Sequence, residues 1–212
     1  MFLIITRAFP PELGGMQSLM WGLTKEMSKN FMVKVFADYQ ENHKEFETRR
    51  LIIKPTSIED ADLIYLIMNA PKFMKYVGDR KINSIQDAKE YIQNRMLPQL
   101  YSVGYSNYSI IIKKNEKKIG ICGLYHREGI DGVDLGFGLL PEYEGFGYAY
   151  EASKQLVNAA FEEFGFQEIK AITAKKNYAS QKLLKRLGFE FKGLTNFFND
   201  TEEYLFIIKR SA

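Results

Sequence analysis

The most constraining feature of this sequence is an apolar segment that runs into a loop with two glycines and then into a helical pattern. Residues 133–140 form an apolar run of strand type, and residues 148–164 place apolar side chains on one helical face. Gly145 and Gly147 lie between them, where positive φ angles let backbone N–H groups turn toward one point. The start of the helix adds a partial positive charge there. The segment predicts either an anion site, for example for a pyrophosphate, or a plain strand-to-helix turn.

This segment lies within a longer α/β pattern. Ser57 and Ser84 are each followed by an acid three residues on and by apolar positions at helical spacing, which predicts two capped helices after a strand at 50–54. The polar turn at 114–117 predicts a hairpin. The remaining predicted elements are strands at 108–112, 119–125, 133–140, 168–174, 189–193 and 203–209, and helices at 148–164 and 177–187.

The first residues form a separate unit in this interpretation. Apolar runs at 2–5 and 32–37 predict two strands, and a helical pattern from Met16 to Met27 lies between them. Residues 39–45 are polar and lack periodicity, so we place a boundary there. The prediction is a strand-helix-strand appendage over 1–45 and a main domain over 46–212.

Composition excludes several classes of protein. In 212 residues, 46% are hydrophobic and the net charge is +3, which argues against wholesale disorder and against a surface built for nucleic acid or membrane. Cys122 is the single cysteine, and with two histidines it makes neither a disulfide nor a zinc site without carboxylates. The apolar start is too short for a signal segment. We expect a cytoplasmic protein without a metal.

Three ordered blocks resemble the GCN5-related N-acetyltransferase (GNAT) family. They are Arg50–Pro55, Leu139–Ala152, and Asn177–Ser180 followed by Leu187–Phe189. Residues 47–210 resemble most the branch that acetylates N-termini of ribosomal proteins and a range of small amines. The resemblance implies an α/β fold whose mixed, mostly antiparallel sheet is splayed at a cofactor cleft and flanked by helices.

The resemblance also implies a site for acetyl-CoA between the strands at 133–140 and 168–174. Its pyrophosphate would lie on the amides of 142–147, and its pantetheine arm would pair with main chain of the first strand. Phe146 stands where the family often has Lys, and the basic stretch 175–192 either compensates or is a solvated helix face. The implied contact residues are Phe137, Leu139, Leu140, Glu142, Tyr143, Glu144, Gly145, Phe146, Gly147, Tyr148, Ala149, Asn177, Ser180 and Lys182.

Acetylation of an amine needs a neutral nucleophile and therefore a base. By resemblance, Asp134 is the first candidate and Glu142 the second, although a carboxylate at a strand end is also a common exposed polar residue. Leu184 stands where many members carry a proton-donating tyrosine, so Ser180 is the substitute acid, unless it only bonds its own helix backbone. Cys122 lies in an apolar strand, which disfavours an acetyl-cysteine intermediate.

The implied reaction is direct acetyl transfer to a primary amine, either a protein N-terminus or a small molecule, by a monomer or homodimer. A non-catalytic acyl-CoA sensor is the alternative, since the tyrosine is absent. Residues 1–38 resemble the N-terminal fragment of a GT-B retaining glycosyltransferase. Because nothing in 47–212 resembles the C-terminal domain of those enzymes, we do not predict glycosyl transfer.

Overall fold

The computed structural model describes residues 2–6, 26–27, 29–30, 33–37, 43–127, 130–198 and 201–210. Near the N-terminus, β1 (Phe2–Thr6) and β2 (Val33–Ala37) pair in parallel as a separate two-stranded sheet. The two strands predicted at 2–5 and 32–37 are present, and the strand-helix-strand unit over 1–45 remains a prediction. The helix predicted from Met16 lies outside the described residues apart from Glu26 and Met27, which are helical.

The main sheet has eight strands in the order β3-β4-β5-β6-β7-β8-β10-β9. The pairing of β7 with β8 is parallel, and every other pairing is antiparallel. The strands are β3 (Phe46–Glu47), β4 (Leu51–Pro55), β5 (Asn107–Ile112), β6 (Lys118–Tyr125), β7 (Asp134–Leu139), β8 (Glu168–Ala174), β9 (Glu190–Phe198) and β10 (Thr201–Lys209). The predicted α/β fold with a mixed, mostly antiparallel sheet is confirmed.

Helices cover this sheet, and a short 3-10 turn (Ile58–Asp60) precedes the first of them. They are α1 (Ala61–Met68), α2 (Pro71–Tyr76), α3 (Ile85–Tyr91, continued by a π-helical turn, Ile92–Met96), α4 (Leu97–Val103), α5 (Tyr148–Glu162) and α6 (Tyr178–Arg186). Both predicted caps form: Ser84 Oγ accepts from the Asp87 N–H (3.1 Å), and the Asp60 carboxylate accepts from the Ser57 N–H (2.9 Å). In the described part of the chain, no helix is long and apolar enough to span a bilayer.

The two faces of the sheet pack against different helices. Leu135 and Cys122 belong to the larger core cluster with the buried side of α5, which includes Ala152 and Leu156. Ile121 belongs to a second cluster with the buried residues of α1 and α3. Because side chains alternate along a strand, Asp134, Gly136 and Gly138 of β7 face the α1 side.

The sheet opens between β7 and β8. The ladder between them consists of one pair, Asp134 with Lys170, although both strands are described in full. Beyond that pair the strands diverge toward their C-terminal ends. The result is the splayed cleft that the sequence resemblance implies.

Candidate active site

The backbone of β7 offers hydrogen-bonding groups to the cleft at alternate residues. The Leu140 N–H donates to Ile119 O on β6 (2.9 Å), whereas Val133 O accepts from the Lys170 N–H on β8 (2.9 Å). Backbone groups alternate in direction along a strand, so those of Phe137 and Leu139 point toward the cleft. The structure supports these two as main-chain contacts. The Leu140 N–H is already bonded to β6, so the predicted contact of Leu140 with the pantetheine arm remains a prediction that this N–H does not support.

The loop after β7 forms a 3-10 turn, Pro141–Tyr143, before it reaches the glycines. The N–H groups of Tyr143 and Glu144 donate to Leu140 O (3.0 Å) and Pro141 O (3.3 Å), so these two amides are used by the turn. Among the amides of 142–147, on which the pyrophosphate is predicted to lie, those of Tyr143 and Glu144 therefore already have an acceptor.

The glycine part of the loop keeps its donors. Gly145 and Gly147 have φ of +82° and +81°, and Gly147 is the N-cap of the 15-residue helix α5. Among the described residues, no backbone carbonyl accepts from the N–H groups of 145–147. The first N–H groups of α5, at Tyr148 and Ala149, have no intrahelical partner because they lie in the first turn. The N–H groups that could hold an anion therefore lie from Gly145 onward.

A cavity of about 560 Å³ lies beside this loop and along the outer face of α5. Three cationic side chains line it: Arg50, Lys154 and Arg186. The Arg186 guanidinium stacks on Tyr150, 4.0 Å from the ring centroid. Lys182 is exposed and is not among the lining residues. The other lining residues are Thr48, Gly145, Phe146, Gly147, Tyr150, Glu151, Gln155 and Asn158.

The start of α6 lies at the same end of the cleft, because β7 and β8 run in parallel. Asn177 is the N-cap, and its Oδ1 accepts from the Ser180 N–H (3.2 Å). Leu184, at the position where a tyrosine is common in the family, is 1% exposed and belongs to the core. The structure thus brings Asn177 and Ser180 to the cleft end that carries the glycine loop.

Asp134 is a buried carboxylate and not an exposed polar residue. It is 3% exposed, and its Oδ1 accepts from Arg127 Nε (2.7 Å). Burial raises the pKa of Asp134 above its ordinary value, and the Arg127 charge opposes that rise. Glu142 is exposed on the 3-10 turn at the other end of β7. The two candidate bases therefore lie at opposite ends of β7, and only Asp134 is buried.

A polar network supports Asp134 on the α1 side of the sheet. The Arg127 guanidinium lies 5.0 Å from the centroid of the Tyr125 ring, and Tyr125 donates its hydroxyl to Asn107 Oδ1. The ring covers Gly123 and Gly136, where an added Cβ would come within 2.6 Å and 2.8 Å of it. Burial raises the pKa of Tyr125, so it stays a neutral donor. Glycine at both positions makes room for this network.

Other chemically suggestive residues pack away from the cleft. His126 follows the residue paired with Asp134, at the sheet end opposite the glycine loop, and it contacts Tyr105 and Phe166. Burial raises the pKa of Tyr105 to about 12. Cys122 is fully buried, and burial raises the pKa of its thiol. Tyr105 and Cys122 belong to the core, whereas His126 is exposed and close enough to Asp134 to influence its pKa.

No sequence motif indicated Arg127, Lys154 or the contacts of Arg50 with the glycine loop. Arg127 lies seven residues before Asp134, and no motif indicates that a loop brings them together. Lys154 could have been found, since it lies seven residues after Gly147 and so on the same helix face.

Comparisons with known proteins agree with this geometry. The model of the acetyltransferase (GNAT) domain family matches residues 50–190. The uncharacterized N-acetyltransferase p20 of Bacillus licheniformis is 31% identical over 149 residues, which cover 69% of this chain and 83% of p20. Since the family model begins at residue 50, the glycosyltransferase resemblance of residues 1–38 gains no support from it.

Solved structures share the fold at low identity. The ribosomal-protein-S5-alanine acetyltransferase from Vibrio fischeri superposes with a TM-score of 0.67 at 18% identity, covering 78% of this chain and 96% of that one. RimL, a ribosomal L7/L12 alpha-N-protein acetyltransferase solved with coenzyme A, gives 0.63 at 12% identity, covering 78% and 98%. From the family match and the fold together, this chain belongs to the GNAT family of acetyltransferases.

Proposed function

We propose that the domain over residues 46–212 transfers the acetyl group of acetyl-CoA to a primary amine. The observation that carries the proposal is the cleft between β7 and β8 with the Gly145–Gly147 loop at its mouth. The cleft exposes backbone donors and acceptors, and the loop presents N–H groups at the start of a 15-residue helix. These features fit a long thioester whose one end carries a pyrophosphate.

The donor supplies an activated acetyl group, and the chain supplies its placement. Main chain at Phe137 and Leu139 lies along the cleft and suits the amides of a pantetheine arm. An N–H of this strand near the thioester carbonyl would stabilise the developing oxyanion, a contribution of typically about 3 kcal/mol to the barrier. The N–H groups from Gly145 onward would hold the pyrophosphate.

Asp134 is the base in this proposal, and Ser180 is the proton donor. An ammonium ion has no lone pair, so Asp134 takes a proton from it directly or through one water before attack. The ion pair with Arg127 favours the charged form of Asp134 and offsets part of the rise in its pKa that burial causes. The family resemblance names Ser180 as the group that would protonate the departing thiolate. Because Ser180 lies at the first turn of α6, at the glycine-loop end of the cleft, water would have to carry the proton to a thiolate near Asp134.

The acceptor is a primary amine, either a protein N-terminus or a small molecule. Two similar structures are acetyltransferases of ribosomal proteins, which supports the first choice. The second choice rests on the range of amines that the family accepts. A non-catalytic acyl-CoA sensor is the alternative, which the leucine at position 184 in place of a proton-donating tyrosine keeps open.

Release of free CoA separates the enzyme from the sensor. The chain is incubated with acetyl-CoA and a panel of amines and N-terminal peptides, and the thiol is measured with a disulfide reagent. We expect amine-dependent thiol release and a product heavier by one acetyl group in mass spectrometry. Tight acetyl-CoA binding without release across the panel would favour the sensor.

A further inference from the structure

Arg50 joins the start of β4 to the glycine loop, which lies about one hundred residues later. Its Nη1 donates to the carbonyl oxygen of Phe146 (3.0 Å), and its Nε donates to Glu151 Oε2 (2.6 Å). The guanidinium also lies 4.4 Å from the centroid of the Tyr148 ring. The Arg50 side chain therefore contacts both the glycine loop and the first turn of α5.

Glu151 holds Arg50 in this position. Its Oε1 accepts from the Arg50 backbone N–H (2.9 Å) and from Thr48 Oγ1 (2.6 Å). The Glu151 N–H in turn donates to Gly147 O (3.0 Å). Burial alone would raise the pKa of Glu151, but these hydrogen bonds lower it below its ordinary value, so the carboxylate is charged.

The contact with Phe146 O has a consequence for the donor that follows it. The Phe146 carbonyl and the Gly147 N–H belong to one planar peptide unit, in which they point in opposite directions. Because Arg50 holds the carbonyl on its own side, the Gly147 N–H is directed away from Arg50. The peptide unit would otherwise rotate easily, since glycine at 147 tolerates many φ angles.

We propose that Arg50 is a positioning residue, which fixes the 146–147 peptide unit so that the Gly147 N–H faces the pyrophosphate of the donor. This inference rests on the proposed function, since it requires acetyl-CoA on this loop. Arg50 acts here through the loop geometry and not as a charge against the phosphate. Preorganised donors bind an anion more tightly because they lose less conformational freedom on binding.

The test compares two donors that differ in the pyrophosphate. Acetyl-CoA affinity is measured by calorimetry, and the affinity for S-acetyl-pantetheine, which lacks phosphate and nucleotide, is measured by ligand-observed NMR. The variants are Arg50→Met, Arg50→Lys and the control Arg49→Met, which removes a neighbouring exposed arginine. Circular dichroism and melting temperature establish that each variant is folded.

We expect Arg50→Met to weaken acetyl-CoA binding by about tenfold or more, as for loss of a charge-assisted hydrogen bond, with S-acetyl-pantetheine binding unchanged. Arg50→Lys should not restore the affinity, because lysine lacks the fork that reaches Phe146 O and Glu151 together. Arg49→Met should match the parent. If Arg50→Met does not fold, the affinities for acetyl-CoA and S-acetyl-pantetheine are compared in Arg50→Lys instead.

Three results would overturn the inference. Equal losses for both donors would mean a general structural role, and full rescue by Arg50→Lys would mean a charge effect. If Arg50→Met folds and binds acetyl-CoA like the parent, the positioning role is excluded but the proposed function is not. A parent that binds no acetyl-CoA would instead overturn the proposed function, and the positioning role with it.

Discussion

At the scale of single residues, the candidate site depends on a carboxylate that the fold buries and an arginine that the sequence does not associate with it. Asp134 was predicted from the family resemblance, and its burial beside Arg127 was not. The short 2.7 Å contact between Arg127 Nε and Asp134 Oδ1 fixes the carboxylate orientation. Chemistry at this residue can be tested separately from binding.

Asp134→Asn should lower the turnover rate by about 10²–10⁴-fold while acetyl-CoA affinity stays near that of the parent. In the parent, the rate should fall as the pH drops through the raised pKa of Asp134, at higher pH than for an ordinary aspartate. Steady-state rates across pH test both points. The control is Asp131→Asn, which changes an exposed neighbouring aspartate. If Asp134→Asn kept the parent rate, Asp134 would be excluded as the base.

Cys122 should be dispensable for turnover. It is fully buried, and burial raises the pKa of its thiol, so little thiolate exists to accept an acetyl group. We expect Cys122→Ala to keep the parent rate within a few-fold, and mass spectrometry of the parent to find no acetyl adduct on the protein. An inactive but folded Cys122→Ala, or an acetylated Cys122, would support a two-step route.

Two tyrosines of the sheet should respond in opposite ways to loss of the hydroxyl. In the part of the chain that the structure describes, the buried Tyr108 hydroxyl has no hydrogen-bond partner, whereas Tyr125 donates to Asn107. Tyr108→Phe should raise the free energy of unfolding by about 1 kcal/mol, and Tyr125→Phe should lower it by about 1 kcal/mol. Urea unfolding measures both, and a destabilised Tyr108→Phe would indicate a missing partner.

At the scale of secondary structure, the sequence predicted most elements because their signals are local. The strand predicted at 168–174 coincides with β8, and Ser84 forms the expected cap. β9 extends to Phe198, beyond the predicted end at residue 193, because pairing with β10 continues after the apolar pattern is lost. Main-chain contacts depend on strand register, which has no side-chain signature, so the sequence did not predict that the Leu140 N–H is bonded to β6.

The helices beside the cavity provide a test of which cation meets the 3′-phosphate of the donor. Arg186 of α6 lines the cavity next to Tyr150, and Lys182, one turn earlier, does not. Arg186→Ala should weaken CoA binding several-fold without changing the affinity for dephospho-CoA, which lacks that phosphate. Lys182→Ala should match the parent in calorimetry. If Lys182→Ala weakened CoA binding and Arg186→Ala did not, Lys182 would be the residue that contacts the 3′-phosphate.

At the scale of the whole molecule, the length of β7 separates the proposed base from the proposed anion site. Asp134 and Leu139 occupy the two ends of β7, about 17 Å apart at roughly 3.3 Å for each residue of strand. An extended arm between a thioester and a pyrophosphate suits that spacing. The overall order of strands and helices was predictable from the sequence. The divergence of β7 from β8 follows from their single ladder pair, and strand pairing has no local sequence signal.

The most direct test is calorimetry of the chain with acetyl-CoA, beside a Gly145→Glu, Gly147→Glu double variant. Both glycines have positive φ, and the added carboxylates would repel a pyrophosphate at the start of α5. We expect micromolar binding to the parent and none to the variant, provided that circular dichroism finds the variant folded. Equal binding to both, or no binding to the parent, would contradict the placement of acetyl-CoA on this loop.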